Sequence, residues 1–235
     1  FTTAGYVYAA NASTRLGNHF NISASYNGYL QTQYDGTVKV NDSTRINRVM
    51  HSASLIPSYS YDTDMLGHTA SMSLNYTSNK DLNPYAKGET DVQTMAFGLS
   101  YSMDAKPIET NFTLSFSHQD SKGFSSHYRS DVLSLGASRS FLKEKNLNFS
   151  GTLSLCYNEI KRQSKSLSMG CDLSANYTYK EAHMFSASAG FNKYGDVNIT
   201  KKRSSLDCTD ISISFNYAYT FTLLAIKSKA NKAKK

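Results

Sequence analysis

The sequence predicts an all-β protein: an antiparallel up-and-down transmembrane β-barrel, with about 11 strands visible and 12 or more in the complete protein. Three observations predict it. Apolar and polar residues alternate with period two through segment after segment, with almost no helical period. The connectors alternate between short and long. The polar face of the strands carries small uncharged side chains rather than the Lys and Glu of a water-facing surface.

The strands follow in order. "TAGYVYAANA" near the start and "VMHSASLIPSYSY" from Val49 are weaker; between them "FNISASYNGYL" from Phe20 alternates strictly. Then come "HTASMSLNY" from His68, "TMAFGLSYSM" from Thr94, "ETNFTLSFSH" from Glu109 and "DVLSLGASRSF" from Asp131. "NLNFSGTLSLCY" from Asn146, "SLSMGCDLSANYTY" from Ser166, "HMFSASAGFNKY" from His183 and "DISISFNYAYTF" from Asp210 complete the set. The connectors "STRLGN", "DTDMLG", "MDAKP", "LKEKN" and "KEA" read as short turns. "QTQYDGTVKVNDSTRIN", "TSNKDLNPYAKGETD", "QDSKGFSSHYRS", "NEIKRQSK" and "KYGDVNITKKRSSLD" read as longer, more charged loops, each following a short turn. Tight turns on one side and long loops on the other are the meander of a membrane barrel.

The two faces of each strand decide between lipid and a protein core. The polar face places Ser73, Asn75, Ser100, Asn111, Thr113, Ser115, Asn148, Thr152, Ser154, Asp172, Asn176, Ser188, Ser214 and Asn216 as lumen-lining residues. The apolar face carries Leu, Met and Ala at mid-strand and rings near the ends. Phe20, Tyr59, Tyr61, Tyr101, Phe141, Phe149, Tyr177, Tyr179, Phe185, Tyr219 and Phe221 gather at the short-turn end, and Tyr26, Tyr76, Phe116, Tyr157 and Phe191 at the loop end. Two ring belts around an aliphatic band match the aromatic girdles of a thin bilayer.

Composition agrees. The chain has 40% hydrophobic and 18% charged residues, with 17 Tyr, 12 Phe, no Trp and 3 Pro, so it is rich in small neutral polar residues without looking disordered. No apolar run is long enough for a transmembrane helix, and a negative mean hydropathy is compatible with a barrel because lumen residues dilute every spanning strand. The net charge of +7 lies largely in connectors and in the tail residues Lys227, Lys229, Lys232, Lys234 and Lys235, without the interleaved aromatics of a nucleic-acid groove, so no nucleic-acid partner is expected. Cys156, Cys171 and Cys208 have no CxxC spacing; no metal site, cofactor or disulfide is expected from them, and Cys156 and Cys171 fall on opposite faces.

Other motifs give weaker readings. Asn-X-Ser/Thr triplets such as those at Asn21, Asn75, Asn111, Asn148 and Asn176 are by-products of the alternation. A Ser-rich chain with His19, His51, His68, His118, His127 and His183 brings Ser near His by chance, and it lacks Gly-X-Ser-X-Gly and His-Glu-X-X-His. His118 and His127 flank a long loop and are expected to be solvated loop residues, so no catalytic residue is assigned and the chain is not expected to be an enzyme. Asp172 and Glu109 are the inward acidic residues, and Arg139 falls on the outward parity, so a charged pore eyelet is absent from this portion.

On these patterns the sequence resembles bacterial outer-membrane β-barrel proteins, and its Tyr- and Ser-rich style with long strands is similar to barrels of Bacteroidota. In that family an alternating aromatic C-terminal strand is the assembly signal read by the barrel-insertion machinery, which the resemblance assigns to Phe215, Tyr217, Tyr219 and Phe221. The tail "TLLAIKSKANKAKK" is a departure, since that signal commonly ends the chain; Asp42-Ser43-Thr44 is similar to a Bacteroidota O-glycosylation triplet. The resemblance implies that residues 1–221 form the barrel and 222–235 a basic periplasmic tail, with short turns periplasmic and long loops extracellular. Counting back eleven strands puts Phe1 on the outer side, so an N-terminal strand or region is expected before it. The expected partners are outer-membrane lipid and lipopolysaccharide, the insertion machinery and other envelope proteins. The expected function is a transport pore or the membrane-embedded part of an envelope complex. The alternatives are an outer-membrane enzyme with its site at the extracellular rim and a soluble β-barrel binding protein.

Overall fold

The structure, a computed structural model, describes residues 2–34, 47–83, 90–142, 146–180, 182–196 and 208–220. Eleven strands run in sequence order: β1 Thr2–Leu16, β2 Phe20–Tyr34, β3 Asn47–Asp62, β4 Leu66–Asp81, β5 Val92–Ala105, β6 Thr110–Gly123, β7 His127–Phe141, β8 Leu147–Ile160, β9 Ser164–Tyr179, β10 His183–Asp196 and β11 Cys208–Tyr219. They form one antiparallel sheet in which each strand pairs with its neighbour in sequence, the up-and-down meander the sequence predicts. Among the described residues the ladders run from β1 to β11 without a pairing between these two.

Among the described residues the sheet is a single layer with nothing packed on its apolar side. Ala105 is the buried apolar residue among those described, whereas Leu114, Leu135, Leu153 and Leu173, on neighbouring strands, stay 42–56% exposed. An apolar surface that extends over the whole sheet is far larger than water tolerates on a monomer, and lipid is the solvent it fits. No described helix is long and apolar enough to cross a membrane, which has no bearing on strands.

At the short-turn end the connections are tight. Gly17, with φ 65°, turns β1 into β2, a conformation that suits a residue without Cβ. Between β5 and β6 a single 3-10 turn, Lys106–Ile108, carries Pro107 and ends on Glu109 in the left-handed region at φ 51°. Lys106 ties this turn to the next, its Nζ reaching Asp62 Oδ1 at 2.6 Å and the Thr63 carbonyl at 2.7 Å. Glu109 therefore sits in a turn at the foot of the wall rather than in the strand, and it lines a small pocket with the inward residues Asn111, Ser138 and Ser140, on the face expected for it.

At the other end two expected long loops are not loops. β6 continues to Gly123 and β7 begins at His127, leaving residues 124–126 as the turn, and residues 161–163 alone join β8 to β9. "QDSKGFSSHYRS" and "NEIKRQSK" break the apolar alternation but keep their ladder, with Asp120 opposite Arg129 and Glu159 opposite Lys165. Strands that rise past the lipid no longer need an apolar face, so alternation fades while pairing persists. Asp42-Ser43-Thr44, Phe221 and the tail 222–235 lie outside the described residues.

Candidate functional site

Register fixes which residues share a face. Paired residues face the same way and alternate along each strand, so the polar set falls into connected rows: Ser71, Ser100 and Ser115; Thr152, Asp172 and Gly190; and Asn148, Asn176, Ser186 and Asn216. Ser73, Asn75, Asn111, Thr113, Ser154, Ser188 and Ser214 lie on the same face. Its hydroxyls bond to one another across strands: Ser25 with Ser54 at 2.7 Å, Ser71 with Ser100 at 2.6 Å, Ser150 with Ser174 at 2.6 Å, and Ser188 with Ser214 at 2.7 Å. Asn111 Nδ2 donates to Ser102 Oγ at 3.0 Å. Phe215, Tyr217 and Tyr219 lie on the apolar face of β11, their rings exposed.

The apolar face behaves differently at its two ends. At the short-turn end imidazoles join the ring belt: Tyr101 and His68 Nδ1 share a hydrogen bond at 2.7 Å, as do Tyr217 and His183 Nδ1 at 2.8 Å. At the far end His51 Nδ1 is 2.8 Å from Tyr26 Oη, with both rings stacked. The apolar parity of β6–β8 ends on the row Phe116, Leu133 and Leu155, which β9 continues with Met169. The next row is His118, Asp131 and Tyr157, with Leu167 still apolar on β9, and the one beyond is Asp120, Arg129, Glu159 and Lys165. Chemistry thus replaces hydrocarbon on one side of the wall, at one height.

Within this patch two imidazoles meet carboxylates. His118 Nδ1 donates to Asp131 Oδ1 at 2.6 Å, and Arg129 Nε donates to the other carboxylate oxygen, Oδ2, at 2.9 Å. One strand step further out, His127 Nε2 donates to Asp120 Oδ2 at 2.8 Å, with Lys122 Nζ 3.6 Å from Oδ1. Tyr157 Oη donates to Glu159 Oε2 at 3.2 Å, and Lys165 Nζ lies 3.1 Å from Oε1. Beyond the apolar band, partial burial works against the charged form of Asp120, but the hydrogen bonds and charges of His127 and Lys122 outweigh it and hold the carboxyl below its ordinary range. Glu159 is likewise held low, first by its hydrogen bond from Lys165.

Both histidines were expected in a solvated loop; His118 lies within β6 and His127 opens β7. Sequence reasoning read Asp120 as loop and Asp131 as the first residue of a strand, and so joined neither to its histidine. The signal was present: positions 118, 120 and 122 keep the parity of Phe116, and 127, 129 and 131 keep that of Leu133.

An Asp-oriented imidazole is a unit that can hold and move a proton. This corrects the expectation that the chain is not an enzyme: the wall places carboxylate-oriented imidazoles where sequence suggested solvated loop. No family model matches the chain, and no curated protein does. Solved structures similar to it include OmpT, an outer membrane protein of Vibrio cholerae in its trimer form (9% identity, 91% of each chain, TM-score 0.45). LpxR from Salmonella typhimurium is another (9% identity, 92% of this chain and 88% of that one, TM-score 0.34). The beta domain of the Bordetella autotransporter BrkA is a third (11% identity, 93% and 90%, TM-score 0.32). At such identities the likeness concerns the fold alone. With its continuous meander and uncovered apolar face, the chain has the fold of bacterial outer-membrane β-barrel proteins.

Proposed function

We propose that this outer-membrane β-barrel carries a hydrolytic centre at its extracellular rim, on the lipid-facing side of the β6–β7 hairpin, directed at ester-bearing amphiphiles of the outer leaflet. In this reading the longer connectors are extracellular, the tail 222–235 is periplasmic, and β11 with its outward Phe215, Tyr217 and Tyr219 is the strand presented to the insertion machinery. The single observation that supports it most is the 2.6 Å bond from His118 Nδ1 to Asp131 Oδ1, one row beyond the last apolar residues.

The chemistry follows from that bond. With Nδ1–H committed to the carboxylate, the Nε2 lone pair is the basic site, and the imidazolium that forms on protonation is stabilised by Asp131. Water attacks the acyl carbon while Nε2 takes its proton; the tetrahedral intermediate collapses, the ester C–O bond breaks, and the same proton passes to the leaving oxygen. Arg129 supplies positive charge beside the centre for the developing oxyanion or a headgroup phosphate. A substrate anchored in the bilayer lays its chains on Phe116, Leu133 and Leu155 and carries its polar end to His118.

The test uses the full chain folded in detergent, with p-nitrophenyl palmitate and with lipopolysaccharide followed by mass spectrometry. Fatty acid release by the native chain, falling on the order of a hundredfold in His118→Gln, is expected. A correctly folded native chain that releases nothing from either substrate refutes the proposal.

A further inference from the structure

The apolar face holds a second feature, at the short-turn end and away from the rim. A groove of about 670 Å³ crosses β7 to β11. Its floor carries small residues, Ala137, Gly151, Ala175 and Ala187, with Leu173 and Ile213 beside them; Phe149 and Phe215 stand at its sides. Arg139 lines the same groove.

The position of Arg139 gives the groove a direction. Thr110, Arg139, Phe149, Ala175, Ala187 and Phe215 are successive partners along one row of the sheet. Thr110 opens β6 and Arg139 lies two residues from the end of β7, whereas Ala175 lies four residues from the end of β9 and Ala187 four residues into β10. The row therefore climbs away from the short-turn end as it crosses the sheet. Its Arg139 end lies at the membrane boundary and its Ala187 end in the aliphatic band. The Arg139 guanidinium is 4.7 Å from the centroid of the Phe141 ring, which itself packs edge-on against Phe149 at 5.6 Å. A cation is thus held at the interfacial mouth of an apolar channel, on a surface whose solvent is lipid.

From β7 to β11 is four inter-strand spacings, about 19 Å. One leaflet contributes about half of a hydrocarbon core of ~30 Å, so the oblique channel is about as long as one acyl chain. We propose that this groove is a binding site for one anionic glycerophospholipid of the leaflet at the short-turn end, with its phosphate on Arg139 and one acyl chain over Ala137, Gly151, Ala175 and Ala187. Charge complementarity at the mouth selects the anionic headgroup, and the missing side-chain bulk admits the chain. The site is independent of the hydrolytic centre, which lies at the opposite end of the strands.

Native mass spectrometry of the full chain, released from detergent with added dioleoylphosphatidylglycerol, tests it. One bound lipid is expected, with dioleoylphosphatidylcholine retained about fivefold less. Arg139→Gln and Ala187→Phe should each lower phosphatidylglycerol occupancy by about fivefold or more, the first through charge and the second by filling the channel. Folding of each variant is checked by its heat-modifiable gel mobility, and Ala175→Leu replaces Ala187→Phe if the larger ring prevents insertion. Equal retention of both lipids, occupancy unchanged in both kinds of variant, or displacement of the lipid by glycerol 3-phosphate alone would each overturn the site. So would a groove occupied by a second copy of the chain, seen as a dimer that Ala187→Phe dissociates.

Discussion

Asp120 is registered directly opposite Arg129 in the β6–β7 ladder, yet its carboxylate accepts a hydrogen bond from His127, at 2.8 Å, while Arg129 turns along its own strand to Asp131, at 2.9 Å. The diagonal choice divides the hairpin into two units. Asp120, His127 and Lys122 clamp the end of the hairpin; Asp131, His118 and Arg129 form the unit next to the apolar band. Only the second is placed to reach a lipid ester, so the two carboxylates should respond differently. Asp131→Asn is expected to lower hydrolysis about a hundredfold, and Asp120→Asn to leave it within a few-fold, measured as kcat/KM on the same micellar substrate. Equal losses in the two variants would remove the distinction.

The outer clamp should be felt as stability instead. A double-mutant cycle between Asp120→Asn and His127→Ala, read from denaturant unfolding, should return a coupling of about 0.2–1 kcal/mol, the range of partly exposed ion pairs.

Acid should loosen the same clamp. Because the Asp120 carboxyl is held below its ordinary value in the folded hairpin, its contribution is fully present above the unfolded carboxylate pKa of about 4 and is lost as pH falls through the lower folded value. Hydrogen exchange of the 124–126 turn should therefore be slow at neutral pH and accelerate below about pH 4. The acceleration should be blunted in Asp120→Asn.

The two faces of the wall can be told apart by one charge placed on each. Leu153, 54% exposed in the middle of β8 on the apolar side, should lose about 2–4 kcal/mol on substitution by Arg in liposomes, as a cation at the bilayer midplane does. Ser134→Arg on the opposite face should cost far less. Reversible guanidinium unfolding of the reconstituted chain measures both, and equal costs would mean that the apolar face does not meet lipid.

The fold was legible because lipid imposes the same rule on every residue of a strand. Phe112, Leu114 and Phe116 on one parity and Asn111, Thr113 and Ser115 on the other leave one geometry open, and the ladder adopts it. That rule ends where lipid ends. At His118 the apolar parity continues in space but not in chemistry, so a strand looked like a loop, and the pairing of His118 with Asp131, thirteen residues away, became invisible. Neither Arg139 nor Ala187 carries any mark in sequence that they share one groove. Their common row depends on the registers of three successive ladders.

The paired serines of the polar face have a consequence for where this molecule can do chemistry. When Ser71 and Ser100, or Ser188 and Ser214, satisfy each other at 2.6 and 2.7 Å, those stretches of the polar face become a neutral, self-contented glaze that offers a passing molecule little to grip. In the hydrolytic reading proposed above, discrimination is then pushed to the outside of the wall, and ligands are met sideways, through the lipid, rather than along the axis of the barrel.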